Sequence, residues 1–134
     1  MSRRRRSRSV LVALPLVVLV FGAAAASGSR VVRIGSEISI RTAELRFSGL
    51  VTSPNDACAE RRRVVLFKVV HGGPDEAMVR TRTDAQGAWS VRVSGFAGVS
   101  LTSFYAQARR SSEGAAGTIY VCSAARSKAI RPGA

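Results

Sequence analysis

The sequence predicts an all-β protein: a single antiparallel β-sandwich of six or seven strands, held by one disulfide. Three observations carry that prediction. Apolar residues recur at every second position over several short stretches, which is strand rather than helix periodicity. Turn-forming clusters punctuate the chain roughly every 8–12 residues, the spacing of sandwich strands. Beyond an N-terminal leader two cysteines remain, Cys58 and Cys122, an even number suited to a bridge across a small domain.

The leader occupies residues 1–26. Arg3, Arg4, Arg5, Arg6 and Arg8 form a positive head, Val10 to Phe21 an unbroken apolar run, and Ala24-Ala25-Ala26 a small-residue cleavage pattern. That order is the build of a secretory signal. The alternative is an uncleaved anchor, for which the apolar run sits at the short end of the roughly 17–25 residues that span a bilayer. Cleavage is expected, and with it a secreted or envelope-associated protein with no transmembrane helix left.

Residues 27–43 read as a lead-in or first strand, with Val32, Ile34, Ile38 and Ile40 interrupted by Gly35-Ser36. The sandwich domain is assigned to residues 44–130. It opens with Leu45, Phe47, Gly49 and Val51 alternating against Glu44, Arg46 and Ser48, and pauses at Ser53-Pro54-Asn55-Asp56. The run from Val64 to Val70 is apolar but for Lys68 and rich in β-branched valine, as in a strand covered on both faces. Gly72-Gly73-Pro74 ends it. The next turn is the clearest in the chain: Thr83-Asp84-Ala85-Gln86-Gly87-Ala88-Trp89. Asp84 bonds its own backbone, Gly87 accepts a positive φ, and the runs on either side predict a hairpin. Val79, Thr81 and Thr83 share one face; Trp89, Val91 and Val93 share the other strand's core face. A loop around Phe96 follows, then a strand from Ser103 to Arg109 with Phe104, Ala106 and Ala108 on one side. Ser111-Ser112-Glu113-Gly114 reads as a turn, Thr118 to Ala124 as the strand bearing Cys122, Lys128 to Ile130 as a short addition, and residues 131–134 as a tail.

The whole chain of 134 residues carries 21 basic and 8 acidic side chains. Five arginines leave with the leader, which lowers the net charge from +13 to +8. Only Lys68 and Lys128 are lysines, so arginine supplies almost all of the positive charge, a bias that a GC-rich coding sequence also produces. In an oxidising compartment Cys58 and Cys122 are expected to pair. The bond closes a loop of about 65 residues, worth about 4 kcal/mol on the chain-entropy model.

No catalytic constellation emerges. His71 with Asp75 and Glu76 lies in a Gly-Gly-Pro loop, which reads as a solvated turn, and neither cysteine has metal-ligand spacing to another Cys or His. No nucleophile elbow is present. No cofactor and no metal are expected. The candidate interaction surface is basic: Arg61, Arg62 and Arg63 with Arg80, Arg82 and Arg92, the last three placed outward on the two arms of the expected hairpin. Like charges facing each other across strands are mildly destabilising, which points to an anionic partner. Nucleic acid is not expected, because stacking aromatics are few and export removes the chain from it. An anionic envelope polymer or a lipid surface fits better. Trp89 is assigned to the core.

The residues Cys58, Arg61 to Lys68, Thr83-Asp84-x-x-Gly87-x-Trp89, Phe104-Tyr105-Ala106, Cys122 and Ser127-Lys128 together resemble bacterial secreted domains of the carboxypeptidase-regulatory-like type. These are transthyretin-like (prealbumin-like) sandwiches related to the B-type repeats of collagen adhesins. The resemblance spans about residues 45–130. It implies a seven-stranded structural or binding module without catalytic machinery. Collagen-adhesin relatives often carry a Lys–Asn isopeptide staple. Here Asn55 is the only asparagine and sits in a turn, so the cysteine pair is the expected clamp, and no LPxTG-like pattern follows. The expected function is therefore a secreted, non-catalytic module held to the envelope through its basic surface. The other reading is a soluble extracellular binder of a specific anionic ligand or protein.

Overall fold

The computed structural model describes residues 28–94 and 101–132. The expected signal segment and residues 95–100 of the loop around Phe96 lie outside the described residues. Eleven short strands and one 3-10 turn are formed there, with no α-helix. The strands are β1 (Arg30–Ile34), β2 (Glu37–Ile38), β3 (Arg41–Ala43), β4 (Arg46–Thr52), β5 (Arg63–Lys68), β6 (Glu76–Arg82), β7 (Ala88–Arg92), β8 (Phe104–Ala108), β9 (Ser111–Ala115), β10 (Thr118–Cys122) and β11 (Ala125–Arg126). The all-β, antiparallel sandwich expected from the alternating pattern is formed, in more and shorter strands than six or seven.

The front sheet runs β11-β8-β5-β6. In the back sheet β4 is central, pairing with β2 and β3 on one side and β7 on the other. The core lies between them. Phe47, Val51, Trp89 and Val91 come from the back sheet, and Val64, Leu66, Phe104, Ala106 and Ala108 from the front. Phe47 and Phe104 meet across the gap with ring centroids 5.0 Å apart. The period-two pattern explains this division, because alternate residues of a strand face opposite sides. Strand β5 is the exception that its unbroken apolar run predicts. Val64 and Leu66 face the core, while Val65 faces outward between Arg80 and Gln107 and is still only 3% exposed.

A third sheet, β1-β10-β9, stands beside the sandwich. Its β1 pairs parallel with β10, Arg30 opposite Thr118 through Ile34 opposite Cys122. The Cys58–Cys122 disulfide joins β10 to the 3-10 turn Asp56–Cys58, and both cysteines are fully buried. Asn55 caps that turn, its side-chain oxygen accepting from Ala57 N at 2.9 Å.

Three local expectations are corrected. Residues 83–89 form the turn but not a hairpin: β6 pairs with β5 and β7 with β4, so the chain crosses from the front sheet to the back. The anchors on either side account for the crossing. Thr83 is tied to the segment before β5, donating from Oγ1 to Ala59 O at 2.6 Å and accepting from Arg62 N at 2.8 Å. Gly87, at φ 81°, is tied instead to β4, where its carbonyl accepts from Val51 N at 2.8 Å. A Cβ at Gly87 would collide with the Val51 carbonyl oxygen. Second, Glu44 and Leu45 are not strand residues. They take φ values of 47° and 64° and form a two-residue connection of type I′ sign between β3 and β4. Third, Ser111 to Gly114 is strand β9 rather than a turn, because it finds a partner in β10.

Candidate functional site

The outer face of the front sheet collects the basic residues. Arg63 on β5 stands directly opposite Arg82 on β6, and Arg80 lies opposite Val65. On the far side of β5, Arg109 N donates to Arg63 O at 2.8 Å, which sets Arg109 at the same end of the sheet. Gln107 pairs with Val65 on one flank and with Arg126 on the other. Arg82 is further oriented by donating from Nη1 to Arg61 O at 3.0 Å. Arg61, Arg63, Arg80, Arg82, Arg109 and Arg110 are all exposed. Among the described residues the ion pairs are Lys68–Glu76 at 3.9 Å and Arg126–Asp75 at 4.0 Å, so none of these six guanidinium groups has a carboxylate within that range.

Two adjoining hollows lie here. One is lined by Arg63, Val65, Arg80, Arg82 and Arg109. The other is lined by Arg61, Arg63, Arg82, Arg109, Arg110 and Glu113. Arg63, Arg82 and Arg109 form the wall between them. Directly opposed like charges on a sheet are unfavourable, so the gathering is a standing positive field and not a self-neutralised network.

The opposite end of the same face is chemically different. Phe67 and Tyr105 stack with centroids 5.1 Å apart. Arg126 lies 3.7 Å over the Tyr105 ring, and Arg109 lies 5.6 Å from that of Phe67. Asp75 accepts from Val70 N at 3.1 Å and from Tyr105 Oη at 3.0 Å. The Val70 hydrogen bond, then that of Tyr105, hold the Asp75 carboxyl below its usual range. Burial, then its bond to Asp75, pushes the Tyr105 hydroxyl up. The loop acid beside His71 is thus committed to holding the chain, and no group of three or more His, Cys, Asp or Glu among the described residues is placed to bind a metal.

Two of the sequence-predicted surface arginines do not belong to the face. Arg62 is 1% exposed. Its Nε and Nη2 donate to Arg109 O at 3.1 and 2.8 Å, Nη2 also to Ser123 O at 2.7 Å, and Nη1 to Cys58 O at 2.7 Å and Ser36 Oγ at 3.1 Å. Burial lowers its pKa, against the opposing pull of Glu113. Every partner is a neutral oxygen, so Arg62 is an internal strut between the loop at Cys58, the end of β8 and the end of β10. Arg92 is on the back sheet, opposite Arg46, because the turn before it crosses between sheets. There Arg46 Nη1 donates to Ser90 Oγ at 3.3 Å and Arg41 Nε to Ser48 Oγ at 3.1 Å.

Asp84 builds its turn, its carboxylate accepting from Gln86 N and Ala88 N at 2.9 Å each. Trp89 is 3% exposed in the core, with its indole Nε1 beside Gly49 and without a hydrogen-bond partner among the described residues. No helix among the described residues is long and apolar enough to cross a membrane.

No family model, curated protein or solved structure matches this chain. What the face can do rests on its own chemistry. Arg109, Arg110 and Arg126 were missed by sequence reasoning. The signal for Arg109 was present, since Phe104, Ala106 and Ala108 facing inward put Tyr105, Gln107 and Arg109 outward. What the chain does not display is that β8 lies next to β5.

Proposed function

We propose that this protein is an exported, non-catalytic binding module that attaches to the cell envelope through the arginine face of its front sheet. The observation that carries the reading is the Arg63–Arg82 cross-strand pair, with Arg61, Arg80, Arg109 and Arg110 around it and, among the described residues, no carboxylate within ion-pairing distance. Guanidinium forks bind phosphate and carboxylate oxygens in pairs, which suits an anionic partner. The signal-like leader, the paired cysteines and the resemblance to carboxypeptidase-regulatory-like, transthyretin-like domains support the extracellular setting. Asp75 and Asp84, the acids nearest to a chemical role, are occupied by backbone and tyrosine hydrogen bonds, which supports a non-catalytic reading. Tyr105 lies beneath Arg126 and is 6% exposed, so this ring offers no open platform for a nucleobase.

The test is binding of the purified protein to its own cell-wall fraction across a salt series. Exposed charge contacts are screened as ionic strength rises, so binding should fall steeply. A variant with Arg63, Arg80 and Arg82 all changed to Gln should lose it, while Arg92→Gln on the other sheet should not. Absence of binding at every salt concentration, or binding indifferent to salt, overturns the reading.

A further inference from the structure

Resting on that reading, we propose that the arginine face is a two-compartment site for a linear polyanion, seating phosphate-type groups of neighbouring repeats in the two adjoining hollows. The geometry behind this is the shared wall. Arg63, Arg82 and Arg109 line both hollows, while Arg80 belongs to one and Arg61 and Arg110 to the other. A lone anion satisfies only one compartment and leaves the outer edges of the wall arginines unmatched. Two linked anions engage both, and the second binds at the high effective concentration set by the link. The wall is held in place before any ligand arrives. Arg82 is fixed on Arg61 O, Arg109 approaches the Phe67 ring, and Arg63 stands opposite Arg82 with its carbonyl accepting from Arg109 N. Preorganisation of this kind lowers the ordering cost of binding.

A polymer is favoured over a membrane by what the face lacks. The exposed large apolar side chains among the described residues are Val31, Leu45, Leu50, Leu101 and Ile119. None of them lies on β5, β6, β8 or β11, so these strands present no large exposed apolar side chain to a lipid layer. Glu113 sharpens the site. It is the one carboxylate lining the second hollow, set against five arginines, and it opposes the anion the others attract.

The experiment titrates the purified protein at low salt with inorganic phosphate, pyrophosphate, long-chain polyphosphate, and vesicles of phosphatidylcholine with phosphatidylglycerol. Pyrophosphate should bind at least about tenfold more tightly than phosphate, because the linked second group binds as an intramolecular event. Polyphosphate should bind more tightly still. Arg63→Gln or Arg82→Gln should erase the preference for the linked anion, and Arg92→Gln should leave it intact. Glu113→Gln should tighten pyrophosphate binding by about two- to threefold, the scale of one exposed charge; this variant gains affinity, so a folding defect cannot imitate it. Equal affinities for phosphate and pyrophosphate, no response to Glu113→Gln, or vesicles outcompeting polyphosphate would overturn the proposal. The outcomes separate from those of the envelope reading. Pyrophosphate preference without cell-wall binding defeats the envelope reading alone; salt-sensitive wall binding without that preference defeats the two-compartment site alone.

Discussion

Arg61, Arg62 and Arg63 are consecutive, yet they belong to two regions with opposite chemistry. Arg62 lies inside, beside the Cys58–Cys122 bond, with its guanidinium donating to three backbone carbonyls and a serine. Arg61 and Arg63 lie outside, in a field of like charge. Interior and exterior arginines obey different rules. A buried guanidinium is tolerated only when its donors are met, and its removal strands the acceptors it served. An exposed one costs little to remove, and its importance is to whatever it binds. The interior region should therefore govern stability and leave binding alone, and the exterior face should do the reverse.

The largest break in that contrast comes from the clamp. Replacing both cysteines, as Cys58→Ala with Cys122→Ala, should lower stability by about 4 kcal/mol through the freed loop of the unfolded chain. Denaturant midpoints measure it, and anion affinity of the folded fraction should not change. Arg62→Ala should cost about 3 kcal/mol, since the carbonyls of Cys58, Arg109 and Ser123 lose their donor in a buried setting. Arg62→Lys should recover less than half, because a point charge with three donors does not span partners on three segments. If Arg62→Ala instead abolished anion binding at unchanged stability, the division into two regions would fail. On the exterior, Arg82→Gln should leave stability unchanged or raise it by about 0.2–1 kcal/mol, by relieving its repulsion with Arg63.

The smallest effect is a pH dependence at the far end of the face. The Asp75 carboxyl is held low by Val70 N and Tyr105, so folding favours its ionised form. Its stabilisation is present above the ordinary carboxylate range and is lost as pH falls through the lowered value. A melting-temperature series into acid should be flatter for Asp75→Asn than for the wild type.

The fold class was legible because period-two alternation is a local signal. Trp89, Val91 and Val93 point inward on the same arithmetic that marks any half-buried strand. Strand partnership is not local. The turn chemistry of Asp84 and Gly87 is the same whether the following strand folds back on its neighbour or crosses to another sheet. What decides is Thr83 tied to Ala59 and Gly87 tied to Val51, contacts far apart in sequence. From that one ambiguity came the misplacement of Arg92. The interior position of Arg62 was hidden for a related reason. An arginine triplet reads as surface by composition, and the carbonyls that receive Arg62 come from residues 58, 109 and 123. Glu44 and Leu45 were concealed by chemistry, since neither residue favours the left-handed conformation that it adopts.

The parallel pairing of β1 with β10 bears on the order in which the molecule can assemble. Residues 30–34 leave the ribosome early, yet among the described residues their strand partner is residues 118–122. Until nearly the whole domain has emerged, β1 has an unpaired edge. The side sheet and the Cys58–Cys122 bond therefore both wait on the same late-made segment, residues 118–122.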